Sequence, residues 1–253
     1  MQRYFLPHQT LITQPIQLPE EQAHHLLTVL RGKVGTPLEI VLADHCVYQA
    51  EVNAIDPVPT VMIKERLATD AELPVQVIIA CGLPKTKEKP ELIVKKGTEL
   101  GATHFVFFES ERSISHWDQK KVTKKLARLE KIIEGAAEQS HRNALPTIEY
   151  LPNLQAVVNL KADVKLVAWE ESAKQGETAI LVKTLQSLRP GQTLLALFGP
   201  EGGITEAEIA NLKQAGYLSA GLGPRILRAE TAPLYFLAAL SYQLELLNAG
   251  KSH

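Results

Sequence analysis

Sulfur is scarce in this chain. Its 253 residues include two cysteines, Cys46 and Cys81, which stand far apart with no Cys-x-x-Cys spacing and no histidine pattern beside them. Neither a disulfide framework nor a zinc site is indicated, and reduced thiols are the default. Long apolar runs are missing as well. No stretch approaches the roughly 18 residues that a membrane helix needs, and the N-terminal Met1 to His8 has no apolar region behind a basic one. The expected protein is cytoplasmic, without membrane or metal. An excess of one charge sign is also lacking: 27 basic against 28 acidic residues give a formal net charge of -1, so any polyanion contact must be local. There is no internal repeat, low-complexity tract or coiled-coil heptad. What remains is an ordinary globular composition, 45% hydrophobic and 22% charged, long enough for one large or two modest domains.

Residues 1 to about 70 carry short β patterns, 37–43, 47–52 and 60–63, around one helix from Pro19 to Leu30 whose Ala23, Leu26, Leu27 and Leu30 share a face. This predicts a small barrel-like domain. A polar stretch ending at Pro74 sets the boundary, giving domains 1–70 and 71–253. Beyond it, apolar strands at 75–80, 104–108, 164–169 and 194–198 alternate with helices at 90–100, 119–138, 179–185, 205–214 and 231–247. Continuous apolar strands between helices predict an α/β domain with a parallel sheet covered on both faces. In such sheets, ligands bind at the strand ends.

Two strand-end loops stand out. Phe198-Gly-Pro-Glu-Gly-Gly203 follows an apolar strand, and Thr205 with Glu208 forms a capping box for the next helix. Its glycines allow positive φ and close backbone approach to a ligand. The lysine and hydroxyl of a P-loop are absent, and Glu201 would repel phosphate. A neutral or cationic nucleoside suits this loop; so does a tight βα turn with a solvated glutamate. The second loop, Leu222-Gly-Pro-Arg-Ile-Leu-Arg-Ala-Glu-Thr-Ala232, follows the next strand. Its Arg225 and Arg228 suit a phosphate or an electron-rich base edge, and Thr231 is placed to cap the following helix. An Arg228–Glu230 surface ion pair, worth about 0 to 1 kcal/mol, accounts for part of it equally well. On 119–138, Lys121, Lys124, Lys125 and Arg128 spread away from Val122, Leu126, Leu129 and Ile133, as a phosphate-facing strip or a solvated helix face would.

The motifs LFGPEGGITEAEI (197–209) and LGPRILRAETA (222–232), in this order, resemble the signature of the RsmE family, the 16S rRNA (uracil-N3) methyltransferases of the SPOUT superfamily. Lys95 to Gly101, Glu138-Gln139-Ser140 with Arg142, and His24-His25-Leu26 with Val29-Leu30-Arg31 extend the likeness over nearly the whole chain, while His141 replaces the family's usual small residue. The resemblance implies an N-terminal PUA-like β-barrel, a C-terminal trefoil-knot domain binding S-adenosylmethionine, and a homodimer. It places Leu197, Gly199, Gly202, Leu222, Gly223, Ile226, Leu227, Arg228 and Thr231 at cofactor-contacting positions, to which the loop chemistry adds Glu201; Glu170, at the end of strand 164–169, either joins them or is an exposed strand-end carboxylate beside Glu171. With uridine N3 as acceptor, Arg225 is the candidate for stabilising the deprotonated imide and Glu230 the candidate base. The candidate RNA contacts are Arg3, Arg31, Lys121, Lys124, Lys125, Arg128 and Arg142, within 16S rRNA of the small ribosomal subunit. A SPOUT methyltransferase with another RNA target, or a non-catalytic ribosome-assembly protein, shares these features.

Overall fold

The computed structural model describes residues 1–11, 13–174 and 179–247, and the chain divides into two compact units. The first takes Met1–Glu72 together with Ala137–Leu145. Its strands are β1 (Gln2–Phe5), β2 (Ile16–Gln17), β3 (Pro37–Val41), β4 (Val47–Ala54) and β5 (Thr60–Leu67), with helix α1 (Glu20–His24) continuing as a π-type turn through Val29. The sheet order is β1-β3-β4-β5-β2, antiparallel except for the parallel pair β1–β3.

Period-two alternation gives this sheet two apolar faces. Tyr4, Leu38, Ile40, Ala50, Val52 and Val61 pack with Leu26 of the π-type turn on one. Phe5, Val41 and Val47 point the other way, where Ala137 and Leu145 cover them. Two buried arginines lock that cover. Arg142, 2% exposed, donates from Nε to Glu72 Oε1 at 2.8 Å, and the amides of Asn143 (2.8 Å) and Ala144 (3.2 Å) donate to the same oxygen. Arg3, also 2% exposed, donates to Glu39 Oε2 at 2.8 Å and to the carbonyls of His141 at 2.6 Å and Arg142 at 2.9 Å. Burial opposes ionisation of Glu72, but the Arg142 hydrogen bond and charge win and hold its carboxyl below the ordinary range.

The second unit runs from Leu73 to Ala136 and resumes at Pro146. Its elements are β6 (Gln76–Gly82), α2 (Glu88–Glu99), β7 (His104–Phe108), α3 (Gln119–Gln139, whose last residues belong to the first unit), β8 (Thr147–Leu151), α4 (Leu154–Val158), β9 (Val164–Ala168), α5 (Glu170–Lys174), α6 (Ala179–Ser187), β10 (Thr193–Phe198), α7 (Glu206–Gln214), β11 (Leu218–Ala220) and α8 (Thr231–Ser241). All six strands are parallel, in the order β11-β9-β10-β6-β7-β8. Along β10, Leu194, Ala196 and Phe198 join one core with Ile93 of α2, Leu129 and Ile133 of α3, and Phe236 and Leu237 of α8. Leu195 and Leu197 join the opposite core with Val157 of α4 and Ile209 and Leu212 of α7. Burial on both faces is why these strands read as unbroken apolar runs. Chain order reverses between β6 and β10, so the loops after these neighbouring strands lie side by side at a topological switch point.

Candidate active site

The carboxyl ends of β9, β10 and β11 open on a cavity of about 630 Å³ lined by Ala168–Glu171, Phe198–Ile204, Leu222–Ala229, Lys89, Arg112, Glu206 and Ala232. The two glycine-containing loops form much of its wall. Another cavity, about 540 Å³, lies in the first unit beside His45, Arg66, Asp70 and Asn143 and holds none of the candidate site residues.

The Gly199–Gly203 turn is built by close backbone approach. A Cβ on Gly202 would stand 2.9 Å from both Cβ and O of Arg112, and one on Gly82, at the end of β6, only 2.4 Å from Pro200 Cδ. Gly203 has φ +73° and donates its N–H to the Pro200 carbonyl at 2.8 Å. The Thr205–Glu208 capping box then starts α7. Glu208 Oε2 accepts the Thr205 amide at 2.9 Å, and its Oε1 accepts the Glu111 amide at 2.9 Å, so one carboxylate serves both the helix start and the loop after β7.

Glu201 lines the cavity, but its carboxylate is taken up within the chain. It accepts the Lys85 amide on both oxygens, at 3.2 and 3.1 Å, and the Lys89 ammonium at 2.7 Å. Burial raises the pKa of Glu201; the Lys89 contact outweighs it and keeps the group well ionised. Across the cavity Gly223 has φ +92°, and Arg225, Ile226 and Arg228 are exposed. No backbone hydrogen bond closes on residues 222–227 among the described residues. These amides and carbonyls therefore stand available beside the cavity.

Glu230 differs from expectation: it pairs with Lys89 (Nζ to Oε2, 3.0 Å) and not with Arg228. Its carboxyl, raised by burial, is brought below the ordinary range by its own amide and by Lys89. Thr231 does not cap α8. It is the first helical residue, Glu230 occupies the N-cap position without a side-chain cap bond, and the amides of Thr231 and Ala232 return to the Arg228 carbonyl at 2.9 and 3.0 Å. That backbone turn does the work assigned to the threonine hydroxyl.

The cavity thus brings together Gly199, Glu201, Gly202, Leu222, Gly223, Arg225, Ile226, Leu227 and Arg228, with Glu170. Leu197 is fully buried in the β10 core, and Thr231 and Glu230 lie at the head of α8 outside the lining. Among the basic candidates, Lys121, Lys124 and Arg31 are exposed, Lys125 lies 4.9 Å over the Trp117 ring, and Arg128 is held by Glu91 at 2.7 and 3.1 Å. Arg3 and Arg142 require correction: buried and paired with Glu39 and Glu72, they hold the first unit together and present no guanidinium to RNA. Lys89 and Arg112 line the cavity without any signal in the motifs.

Residues 71–241 match the model of the RNA methyltransferase domain family. The chain is 43% identical over 258 residues to ribosomal RNA small subunit methyltransferase E of Bacillus subtilis, covering 99% of this chain and 100% of that one. The chain belongs to the RsmE family. It is also 33% identical to the RsmE of Synechocystis, over 93% of this chain and 75% of that one. Its fold superposes with TM-score 0.81 and 29% identity on a crystal structure of the RsmE of Neisseria gonorrhoeae bound to S-adenosyl methionine, covering 95% of this chain and 97% of that one.

Proposed function

We propose that this chain transfers a methyl group from S-adenosylmethionine to N3 of a uridine in 16S rRNA of the small ribosomal subunit. The carrying observation is the cavity at the carboxyl ends of β9–β11, with a tight glycine turn on one side and a run of unspent backbone groups ending in exposed arginines on the other. The residues fit the cofactor. The lining sets the carboxylates Glu170, Glu171, Glu201 and Glu206 against Lys89, Arg112, Arg225 and Arg228, without the cationic excess a polyphosphate takes, while backbone donors and acceptors at 222–227 suit a nucleoside edge and its hydroxyls. Gly199, Gly202, Leu222, Gly223, Ile226 and Leu227 would hold it, with Leu197 and Thr231 supporting these loops from behind and Arg228 at the rim. S-adenosylmethionine supplies an already activated methyl group when bound.

The chain's own task is then to orient the uracil and manage one imide proton. Arg225, exposed on the cavity lining, stabilises negative charge on O2, N3 and O4 of the uracil. Glu230, two residues after Arg228 and paired with Lys89, is the candidate base, but its lowered pKa makes it a weak proton acceptor. Charge stabilisation by Arg225 is therefore the principal contribution, with Glu230 as the secondary acceptor. Lys121, Lys124, Lys125, Arg128 and Arg31 position RNA through phosphates.

The same proposal includes a trefoil knot in the second unit, a PUA-like barrel in the first, a cytoplasmic setting and a homodimer. Exposed apolar side chains at the chain's last helical stretch, Tyr235, Tyr242, Leu246 and Leu247, support the dimer. Among the described residues no helix is long and apolar enough to cross a membrane.

The test is incubation of the protein with radiolabelled S-adenosylmethionine and small subunits from a strain lacking the modification, followed by nucleoside mapping. Label in N3-methyluridine supports the proposal. Label in another nucleoside moves the target, and cofactor binding with no transfer to RNA ends the enzyme reading.

A further inference from the structure

Lys89 stands in the first turn of α2, outside both signature motifs, yet its ammonium reaches both the glycine turn and the head of α8. Its ammonium lies 2.7 Å from Glu201 Oε1 of the glycine turn and 3.0 Å from Glu230 Oε2 at the head of α8. The three side chains are only 20%, 30% and 16% exposed, so solvent screens them less than a surface pair. Two carboxylates converging on one point repel each other unless a cation sits between them. Glu230 Oε2 is moreover buried with no aligned hydrogen bond, which leaves the Lys89 charge as its close compensation. Glu201 is anchored a second time, on the Lys85 amide, so the lysine and its first partner form a fixed post. The loop leading to Glu230 makes no backbone hydrogen bonds over residues 222–227 among the described residues, and its backbone is first held at the turn where Thr231 and Ala232 donate to the Arg228 carbonyl.

We propose that Lys89 is a positioning residue of the cofactor site: one ammonium staples Glu201 to Glu230 and thereby sets the gap between the glycine turn and the arginine loop. This deepens the assignment of that cavity to S-adenosylmethionine and rests on it for its consequence, though not for the staple itself. The ammonium acts through the two loops, without touching the ligand.

Hydrogen exchange on the free protein tests the staple without any ligand. Lys89→Met, which keeps the aliphatic stem, is expected to speed amide exchange about tenfold at 199–203 and 229–232, while Lys89→Arg keeps it near the wild-type rate. Calorimetric titration with S-adenosylmethionine should show affinity weakened about tenfold in Lys89→Met, a change of about 1.4 kcal/mol. Adding Glu230→Gln to Lys89→Met removes the carboxylate repulsion and should recover most of that loss, a non-additivity that a direct ligand contact would not produce. Unchanged exchange at both loops in Lys89→Met overturns the staple. Lost affinity with unchanged exchange puts Lys89 on the ligand instead. Wild-type protein that fails to bind S-adenosylmethionine sinks the cofactor assignment alone, since the exchange result stands apart from it.

Discussion

At the scale of single residues, the site divides into groups that would meet substrate and groups that shape the backbone. Arg225 belongs to the first. Exposed on the cavity lining and bonded to nothing in the described chain, it is replaceable without structural cost. Arg225→Ala is expected to lower methyl transfer at least a hundredfold, about 3 kcal/mol of transition-state stabilisation, with cofactor affinity within about twofold of wild type. Single-turnover transfer and calorimetry separate the two; equal losses in both would move the arginine to the cofactor. Gly82 belongs to the second group. With Pro200 Cδ 2.4 Å from any added Cβ, Gly82→Ala must push the glycine turn off the end of β6. Thermal melting and calorimetry should report a destabilisation of about 1 to 3 kcal/mol together with weakened cofactor binding. The glycines and arginines were legible in the sequence because their roles are local. Lys89 was not: Pro84 to Lys89 reads as one more basic site for RNA phosphates, and the carboxylates that Lys89 meets come from loops remote in the chain. Arg3 and Arg142 misled for the converse reason, since nothing in the sequence near either shows the buried carboxylate that meets it.

At the scale of elements, apolar periodicity carried the second unit well. β7 falls at His104–Phe108, as the sequence predicts, and α3 at Gln119–Gln139 within one residue of its predicted end. Edge strands were harder to see. β8, Thr147–Leu151, alternates polar and apolar residues and has no fully buried position, so it lacks the continuous apolar signal of its neighbours. β1 is only four residues long and contains the buried Arg3, which breaks a strand pattern as read from hydrophobicity. The orientation of α3 was legible: Leu129 and Ile133 are buried, while Lys121 and Lys124 face solvent. If this face meets phosphates, Lys124→Ala should weaken RNA binding evenly across sequences and reduce the slope of log affinity against log salt by about 1, leaving cofactor affinity unchanged. An unaltered slope assigns the face to solvent. Thr205 offers a cleaner elemental test, because its hydroxyl accepts the Glu208 amide at 3.2 Å in the capping box. Thr205→Ala should cost about 1 kcal/mol by denaturant unfolding.

At the scale of the molecule, the chain has two cores of different character, and acid should separate them. Glu72 has a folded-state pKa below its ordinary value of 4.5, so its contribution to the first unit is complete above that value and fades as pH falls through the lowered one. Denaturation midpoints measured from pH 7 to pH 3 should therefore fall for wild type below about pH 4.5. In Glu72→Gln the midpoint is lower at neutral pH, because Arg142 is left buried without its carboxylate, and the acid limb is flatter. A wild-type acid limb retained in the variant would assign the effect to other carboxylates. The composition of the first unit has a further consequence, for the order in which the protein can be made. Phe5, Val41 and Val47 wait for Ala137 and Leu145, and Glu72 waits for Arg142. A ribosome that has finished the five strands has not yet made their cover. The amino-terminal unit, first to emerge, is therefore unable to close until more than half the chain has been synthesised, and for that interval it carries an open apolar face that a chaperone or a neighbouring nascent chain can meet.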